Sequence, residues 1–299
     1  MPDVPAPPEP TRHSLLARYP LGCFFVMAYA FTWIVISPWT LGATGAGLLP
    51  VEVPGAATGL LLAAGIFAGP TLAAILVTAA TEGREGVRRL LGRLVLWRVG
   101  MRWYLFALLG VPLIMLLGFL AYVMSPPDLG ALGGPAYALL YVLGFVLTML
   151  LGGPLLEEIG WRGFALPRLQ RRYGPLVAAL VLGVLWALWH LPQFLVPTWA
   201  ASSGGGGVSG IALFVLAAVA FSVVLSWVFN NTRASLLVVV LVHTSIDAFS
   251  ATMGTVFPTA ATSAWPMIIG FGGAAVVLIA ATRGRLSYDQ LRDTLRSAP

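Results

Sequence analysis

The sequence predicts an all-α protein that crosses a membrane about eight times, with both termini in the cytoplasm. Hydrophobic residues make up 59% of the chain and charged residues only 9%, and the mean hydropathy is +0.90. Several apolar runs reach the ~20 residues that a membrane-spanning helix requires. A soluble protein of this size would need a polar surface, which this composition does not provide.

Eight apolar runs define the predicted spans. They cover residues 21–41, 57–80, 103–124, 136–167, 175–196, 210–229, 235–253 and 264–282. The chain is accordingly divided into a Pro-rich disordered tail (1–20), a membrane domain (21–282) and a C-terminal tail (283–299), with both tails in the cytoplasm. His13 lies in the N-terminal tail and is expected to be solvated.

The arginines predict the orientation of the spans. The arginines of the loops and tails precede the first span or follow the second, fourth, sixth and eighth spans, whereas the other loops carry only Glu52 and Asp128 as charged residues. Cytoplasmic loops of membrane proteins are enriched in positive charge, so both termini are placed in the cytoplasm. The net charge of +6 is therefore attributed to membrane topology, and no nucleic-acid partner is predicted.

The basic segment 83–104 alternates arginine with leucine, valine and tryptophan. This pattern is compatible with an amphipathic helix on the inner leaflet, and equally with a plain basic loop. A second irregularity lies in the fourth span, which is too long for one straight helix across the bilayer. The "GGP" of residues 152–154 predicts a break, with a helix that restarts near Pro154 and runs to about Arg168.

Few ionisable residues lie inside the predicted spans, and each is a functional candidate because a charge in lipid is costly. They are Glu157, Glu158, Arg162, His190, His243 and Asp247. Glu158 and Arg162 are four residues apart on one helix face, which predicts a structural ion pair. Glu157 is rotated by about 100° on a helix of 3.6 residues per turn, so it lacks this partner.

The remaining four groups are expected to meet in the inner half of the membrane. Glu157 precedes Tyr173 by 16 residues and His190 follows it by 17, so an antiparallel helix pair brings them to similar depth. His243 and Asp247 lie about 14–20 Å into the seventh span at 1.5 Å per residue. A buried carboxylate beside imidazoles can activate water, and the imidazoles can orient that water, stabilise an oxyanion or bind a metal.

Three short stretches in this region resemble a known family. "EEIGWR" (157–162), "WALWH" (186–190) and "HTSID" (243–247) occur in this order. They resemble the EExxxR, FxxxH and HxxxN motifs of the CPBP family of membrane proteins, which comprises type II CAAX prenyl endopeptidases and bacteriocin-processing or self-immunity proteins. The resemblance covers roughly residues 135–255. No HExxH, G-x-S-x-G or P-loop motif is present.

The resemblance implies an eight-helix fold with an inward-facing site that hydrolyses peptide bonds with an activated water. It assigns Glu157 as the catalytic glutamate, with His190 as its partner in holding the water. His243 and Asp247 fall at the oxyanion positions. The first motif also supplies the supporting pair, Glu158 and Arg162. The substrate would be a peptide or a membrane protein with or without a prenylated CAAX tail, and the location would be the plasma membrane of a bacterium.

The chain departs from the family motifs at two positions. Trp186 replaces phenylalanine and is expected to form a wall of the substrate pocket. Asp247 replaces asparagine, and an ionised aspartate has no proton to donate to an oxyanion. Asp247 would then be a protonated donor, a group that orients His243, or a metal ligand. In the last case Glu157, His190, His243 and Asp247 are the candidate ligands of zinc or another divalent metal.

Two other functions were considered beside proteolysis. One is a non-catalytic member of the family that acts by binding, as a bacteriocin-immunity protein or a membrane scaffold. The other is a proton-coupled transporter, which also uses glutamate and histidine within spans. The transporter is disfavoured because the sequence shows one cluster of ionisable residues and no inverted repeat.

Overall fold

The computed structural model describes residues 15–123 and 126–297, and within these ranges every regular element is a helix. In these described ranges, seven helices are long and apolar enough to cross a membrane. They are Pro20–Thr40, Gly55–Val95, Met101–Val123, Ala136–Tyr173, Gly207–Asn231, Leu236–Val256 and Trp265–Thr282, and they correspond to the predicted first, second, third, fourth, sixth, seventh and eighth spans. The predicted all-α membrane fold is thus confirmed.

The predicted fifth span is the shorter apolar helix Pro175–Trp189. The chain then turns through the 3₁₀ helix Leu191–Leu195 and the short helix Pro197–Ser202 instead of continuing straight. Pro192 and Pro197 account for this change because proline interrupts a helix and favours the first turn of the next one. His190 therefore lies where the straight helix ends.

The fourth span is broken at the predicted place. Helix Pro135–Leu151 ends at the two glycines, and Gly153 adopts a φ of 112°, which L side chains rarely adopt. A new helix begins at Pro154 and passes through the π-helical segment Ile159–Ala165 into helix Leu166–Tyr173. The π-helical segment was not predicted. Such segments are rare and often mark functional sites.

The second and third spans also contain π-helical turns, at Phe67–Thr71 and Phe106–Gly110. In the second span Gly83 has non-helical dihedral angles and separates the membrane helix from a basic helical segment that ends at Gly92. In this segment Leu90 is buried and Arg88 is exposed. The first part of the segment 83–104 is thus an amphipathic helix, as one of the two predictions proposed.

The predicted N-terminal tail lies mostly outside the described residues, and so does His13; Leu15–Arg18 form one helical turn. The C-terminal tail contains helix Tyr288–Ser297, which packs on the sixth span. Leu286 and Leu291 are buried there, and the Asn230 amide donates a hydrogen bond to the Leu286 carbonyl at 2.9 Å.

The arginine-bearing loops gather at one end of the bundle, which we call the arginine end. Arg93 donates to the Gly163 carbonyl at 2.9 Å, Ser235 donates to the Leu96 carbonyl at 2.7 Å, and Arg168 pairs with Glu82. These contacts tie together the second, fourth and seventh spans and the loop before the third.

The loops without arginine meet at the other end, which we call the opposite end. The Asp128 amide donates to the Val256 carbonyl at 3.1 Å. Gly204 packs so closely on Ala264 that an added Cβ at position 204 would lie 2.6 Å from the alanine methyl group. The two ends of the bundle thus differ in charge as the sequence predicts.

Candidate active site

A buried cluster centres on Glu158. Its Oε1 accepts a hydrogen bond from Arg162 at 2.9 Å, and both side chains are fully buried. The same oxygen is 2.7 Å from Nδ1 of His243 in the seventh span. The predicted Glu158–Arg162 pair is therefore present, and Glu158 also holds a histidine, a contact that the spacing did not predict.

Glu157 faces a different neighbour. Its Oε2 accepts a hydrogen bond from the indole Nε1 of Trp186 at 2.7 Å, and the residue is 6% exposed. Trp186 was predicted only as a pocket wall. It lines the cavity as predicted, and it also fixes one oxygen of the carboxylate.

His190 is oriented by the backbone of its own helix. Its Nδ1 lies 2.9 Å from the Trp186 carbonyl oxygen. Because a carbonyl only accepts, Nδ1 carries the proton in this contact, and Nε2 of the neutral ring remains an acceptor. The ring also stacks on Trp199, with 5.9 Å between centroids and 16° between planes. The hydrogen bond fixes the tautomer whose Nε2 can accept a hydrogen bond from water, and the stacking fixes the orientation of the ring.

Asp247 is farther from its nearest charged neighbour than Glu157, Glu158 and His190 are from their hydrogen-bond partners. Its Oδ2 is 3.9 Å from Nε2 of His243, and its side chain is 38% exposed. This distance is too long for a hydrogen bond. Glu158, at the other nitrogen, supplies the hydrogen bond that orients His243. Asp247 is thus placed to face the contents of the cavity.

The four predicted catalytic residues line one cavity of about 350 Å³. Its walls come from the second, fourth, fifth, sixth and seventh spans and the turn after His190. The lining residues are Gly59, Leu62, Ala63, Ile66, Leu151, Gly152, Glu157, Trp186, Trp189, His190, Gln193, Trp199, Phe214, His243 and Asp247. Groups that are far apart in sequence therefore line one cavity in which water and a peptide bond can meet.

A second cavity of about 500 Å³ adjoins the first and shares Trp186, Phe214, His243 and Asp247 with it. Its remaining walls are mostly apolar. They run from Phe221 and Phe271 to Ser203 and Ser263 in the loops of the opposite end.

The same groups are the candidate ligands of a metal ion. Among residues 15–123 and 126–297, no three histidine, cysteine, aspartate or glutamate residues are grouped to hold a metal ion. His243 Nδ1 is engaged by Glu158, and one oxygen of Glu157 is engaged by Trp186. A metal ion held by Glu157, His190, His243 and Asp247 therefore stays a prediction.

Sequence reasoning missed several lining residues. Gln193 is 5% exposed and lines the first cavity, and Phe214 lines both cavities. Trp199 packs against Phe194 as well as His190. The available signal was the density of aromatic residues between Trp186 and Trp199, but only the fold shows which of them face the cavity.

Comparison with known proteins agrees with the motifs. Residues 138–249 match the family model described as "Type II CAAX prenyl endopeptidase Rce1-like". A protein of Methanococcus maripaludis named "CAAX prenyl protease 2" is 29% identical over 103 residues, which make up 34% of this chain and 38% of the relative. The alignment thus spans well under half of either protein. The matched residues 138–249 contain all three motifs, so the similarity covers the part of the chain that carries the candidate site.

Proposed function

We propose that this protein is an intramembrane endopeptidase that cleaves a peptide bond with a water molecule activated by Glu157. The observation that carries the proposal is that the two adjacent glutamates have different contacts. Glu158 is engaged by Arg162 and His243, whereas Glu157 lines the cavity together with His190. A buried carboxylate beside an imidazole that can accept a hydrogen bond is suited to general-base catalysis.

The proposed reaction begins with a water that donates one hydrogen bond to Glu157 and one to Nε2 of His190. Its oxygen attacks the peptide carbonyl while Glu157 takes the proton. The tetrahedral intermediate collapses, the C–N bond breaks, and Glu157 passes the proton to the leaving amine. Trp186 holds the second oxygen of the carboxylate throughout, which keeps the base in one orientation.

The oxyanion of the intermediate requires donors. His243 receives support from Glu158 at Nδ1, and a carboxylate at that position stabilises the protonated imidazole. Nε2 of the protonated ring can then donate to the oxyanion. We propose protonated Asp247 as the second donor, because the family motif has asparagine, also a donor, at this position.

The substrate is proposed to be a peptide or membrane-protein segment bound beside the bilayer. Support comes from the spans, which make this a multi-pass membrane protein, and from the apolar walls of the second cavity. The related protein is named for prenylated CAAX substrates, and a prenylated tail is one form such a substrate could take. The bacterial plasma membrane is the proposed location.

Purified protein tests this function directly. The protein is incubated with a library of membrane-derived peptides, products are identified by mass spectrometry, and metal content is measured on the same sample. Cleavage by the wild-type protein, with its loss in Glu157→Gln, supports the endopeptidase. If no peptide is cut and Glu157→Gln keeps the cellular effect of the protein, a non-catalytic immunity or scaffold role replaces it.

A further inference from the structure

A third cavity, of about 290 Å³, lies at the arginine end between the second and fourth spans. We call it the arginine pocket, because its charged lining residues are Glu82, Arg89, Arg93, Arg168 and Arg171. None of its lining residues contributes to either cavity of the candidate active site. The arginine pocket is therefore a separate feature, which the proposed function does not explain.

Positive charge exceeds negative charge around the arginine pocket. Glu82 is the one carboxylate among the described residues that line it, and it pairs with Arg89 at 3.1 Å and with Arg168. Arg89 also lies 3.7 Å from Glu85. The side chain of Arg171 makes no hydrogen bond or ion pair with any residue that the structure describes. Like charges around one cavity repel each other, so an anion between them is stabilised.

Two of the arginines are held in place by the backbone of the fourth span. Arg93 donates to the Gly163 carbonyl at 2.9 Å, and Arg168 donates to the Phe164 carbonyl at 2.9 Å. The guanidinium carbon of Arg168 also lies 3.7 Å from the centre of the Phe164 ring. A carbonyl does not neutralise a guanidinium, and each guanidinium keeps further N–H groups that match the oxygens of a phosphate. Because these side chains are positioned in advance, little conformational entropy is lost when an anion binds.

The arginine pocket lies at the depth of lipid headgroups. Arg168 is five residues from the end of the fourth span at Tyr173, which corresponds to about 7.5 Å along a helix. Val95 and Trp97, which follow Arg93 in the chain, are 73% and 60% exposed, and tryptophan is enriched at the membrane–water interface. Basic pockets between membrane helices on the positively charged side are suited to phosphate-bearing lipid headgroups.

From these observations we infer that the arginine pocket binds the phosphate group of an anionic phospholipid from the leaflet at the arginine end. Lipid is favoured over free phosphate because the pocket lies between two spans at the bilayer surface, where lipid phosphate is abundant. A phosphate bound between Arg93 and Arg171 joins the second span to the part of the fourth span that follows Glu157. Lipid binding needs no peptidase activity, so it is tested independently of the proposed function.

Titration of purified protein in a neutral detergent tests this binding. Phosphatidylglycerol, phosphatidylcholine and inorganic phosphate are added separately, and native mass spectrometry counts the molecules bound. The wild-type protein should bind phosphatidylglycerol more tightly than phosphatidylcholine, whose choline group neutralises the phosphate. Arg171→Gln should weaken phosphatidylglycerol binding at least about tenfold, since it removes charge-assisted hydrogen bonds.

Arg88→Gln is the matched control. It removes the same charge from the basic helix, at a side chain that is 81% exposed and does not line the arginine pocket, and it should bind phosphatidylglycerol as the wild type does. The unfolding midpoint without lipid should be the same in Arg171→Gln and the wild type, because Arg171 has no partner to lose among the described residues. Arg171→Lys keeps the charge and should recover part of the affinity.

Three results would overturn the inference. The first is equal affinity of Arg171→Gln and Arg88→Gln for phosphatidylglycerol, which would show that the arginine pocket is not the binding site. The second is equal affinity of the wild type for phosphatidylglycerol and phosphatidylcholine. The third is binding of inorganic phosphate that depends on Arg171, without binding of phosphatidylglycerol, which would make the occupant a free anion instead of a lipid.

Discussion

Adjacent carboxylates at positions 157 and 158 have different surroundings, and this difference defines the site at the residue scale. Glu158 accepts from Arg162 and His243, and these three side chains are at most 4% exposed. Glu157 accepts from Trp186 and lines the cavity. Neighbouring residues with the same chemistry are therefore predicted to respond differently to the same substitution.

Substitution of each glutamate by glutamine should distinguish a structural role from a catalytic one. Glu158→Gln leaves Arg162 buried without its anion, and breaking a buried pair in this way costs about 3–5 kcal/mol. Glu157→Gln keeps an oxygen that accepts from Trp186, so stability should change by less than about 1 kcal/mol. Cleavage should nevertheless fall by roughly 10²–10⁴-fold with the loss of the general base. Thermal unfolding in detergent measures the stability of each variant, and initial rates measure its cleavage activity. Equal destabilisation of the two variants contradicts the assignment of Glu158 to structure and Glu157 to catalysis.

Asp247 is the more consequential of the two departures from the motifs that the chain resembles. If Asp247 donates a proton to the oxyanion, Asp247→Asn should retain or increase activity and extend it to higher pH, since an amide donates without being protonated. Asp247→Ala removes the donor and should be inactive. The pH–rate profiles and metal contents of both variants are the measurement. An inactive Asp247→Asn variant depleted of metal would show that Asp247 is a ligand instead.

At the element scale, interruptions of the helices position the site. The fourth span restarts at Pro154, and the new helix, which carries Glu157, packs against the π-helical turn of the second span. Thr71 in that turn donates to the Leu156 carbonyl. Gly160 lies against Pro70, where an added Cβ would be 2.6 Å from the proline ring. The absence of a side chain at position 160 is what lets the two segments approach.

Gly160→Ala should therefore disturb this contact. Overpacking of a tight interior costs about 1–3 kcal/mol, and the displaced segment carries Glu157, so activity should fall together with stability. Gly144→Ala in the same span is the matched control, because a Cβ there meets no atom within 4 Å. The thermal unfolding midpoints of the two variants measure this difference in stability. If Gly160→Ala is as stable as Gly144→Ala, the proposed close packing is wrong.

The sequence predicted the break at residues 152–154 because glycine and proline act on their own backbone. It did not predict the π-helical segments, because an extra residue in a helical turn is stabilised by packing against other spans. The same limit applies to the hydrogen bond between His243 and Glu158. Spacing along one helix predicts the Glu158–Arg162 pair. A contact between two spans depends instead on how the two helices pack against each other, and the spacing of residues in the sequence does not give that packing.

At the scale of the whole molecule, apolar runs and arginine positions were enough to predict the class of fold. Seven of the eight predicted spans are long apolar helices. The fifth is shorter because the chain turns at His190, and this turn helps to form the first cavity. The shape of that cavity could not be predicted, because it depends on side chains from five spans.

The central claim is that Glu157 activates water for attack on a peptide bond. The most direct test is cleavage of an identified peptide by purified protein in water enriched in heavy oxygen, followed by mass spectrometry of the products. The account predicts one heavy oxygen atom in the new C-terminal carboxylate of the wild-type product, and no product from Glu157→Gln of equal thermal stability. Cleavage by Glu157→Gln at the wild-type rate would contradict the claim.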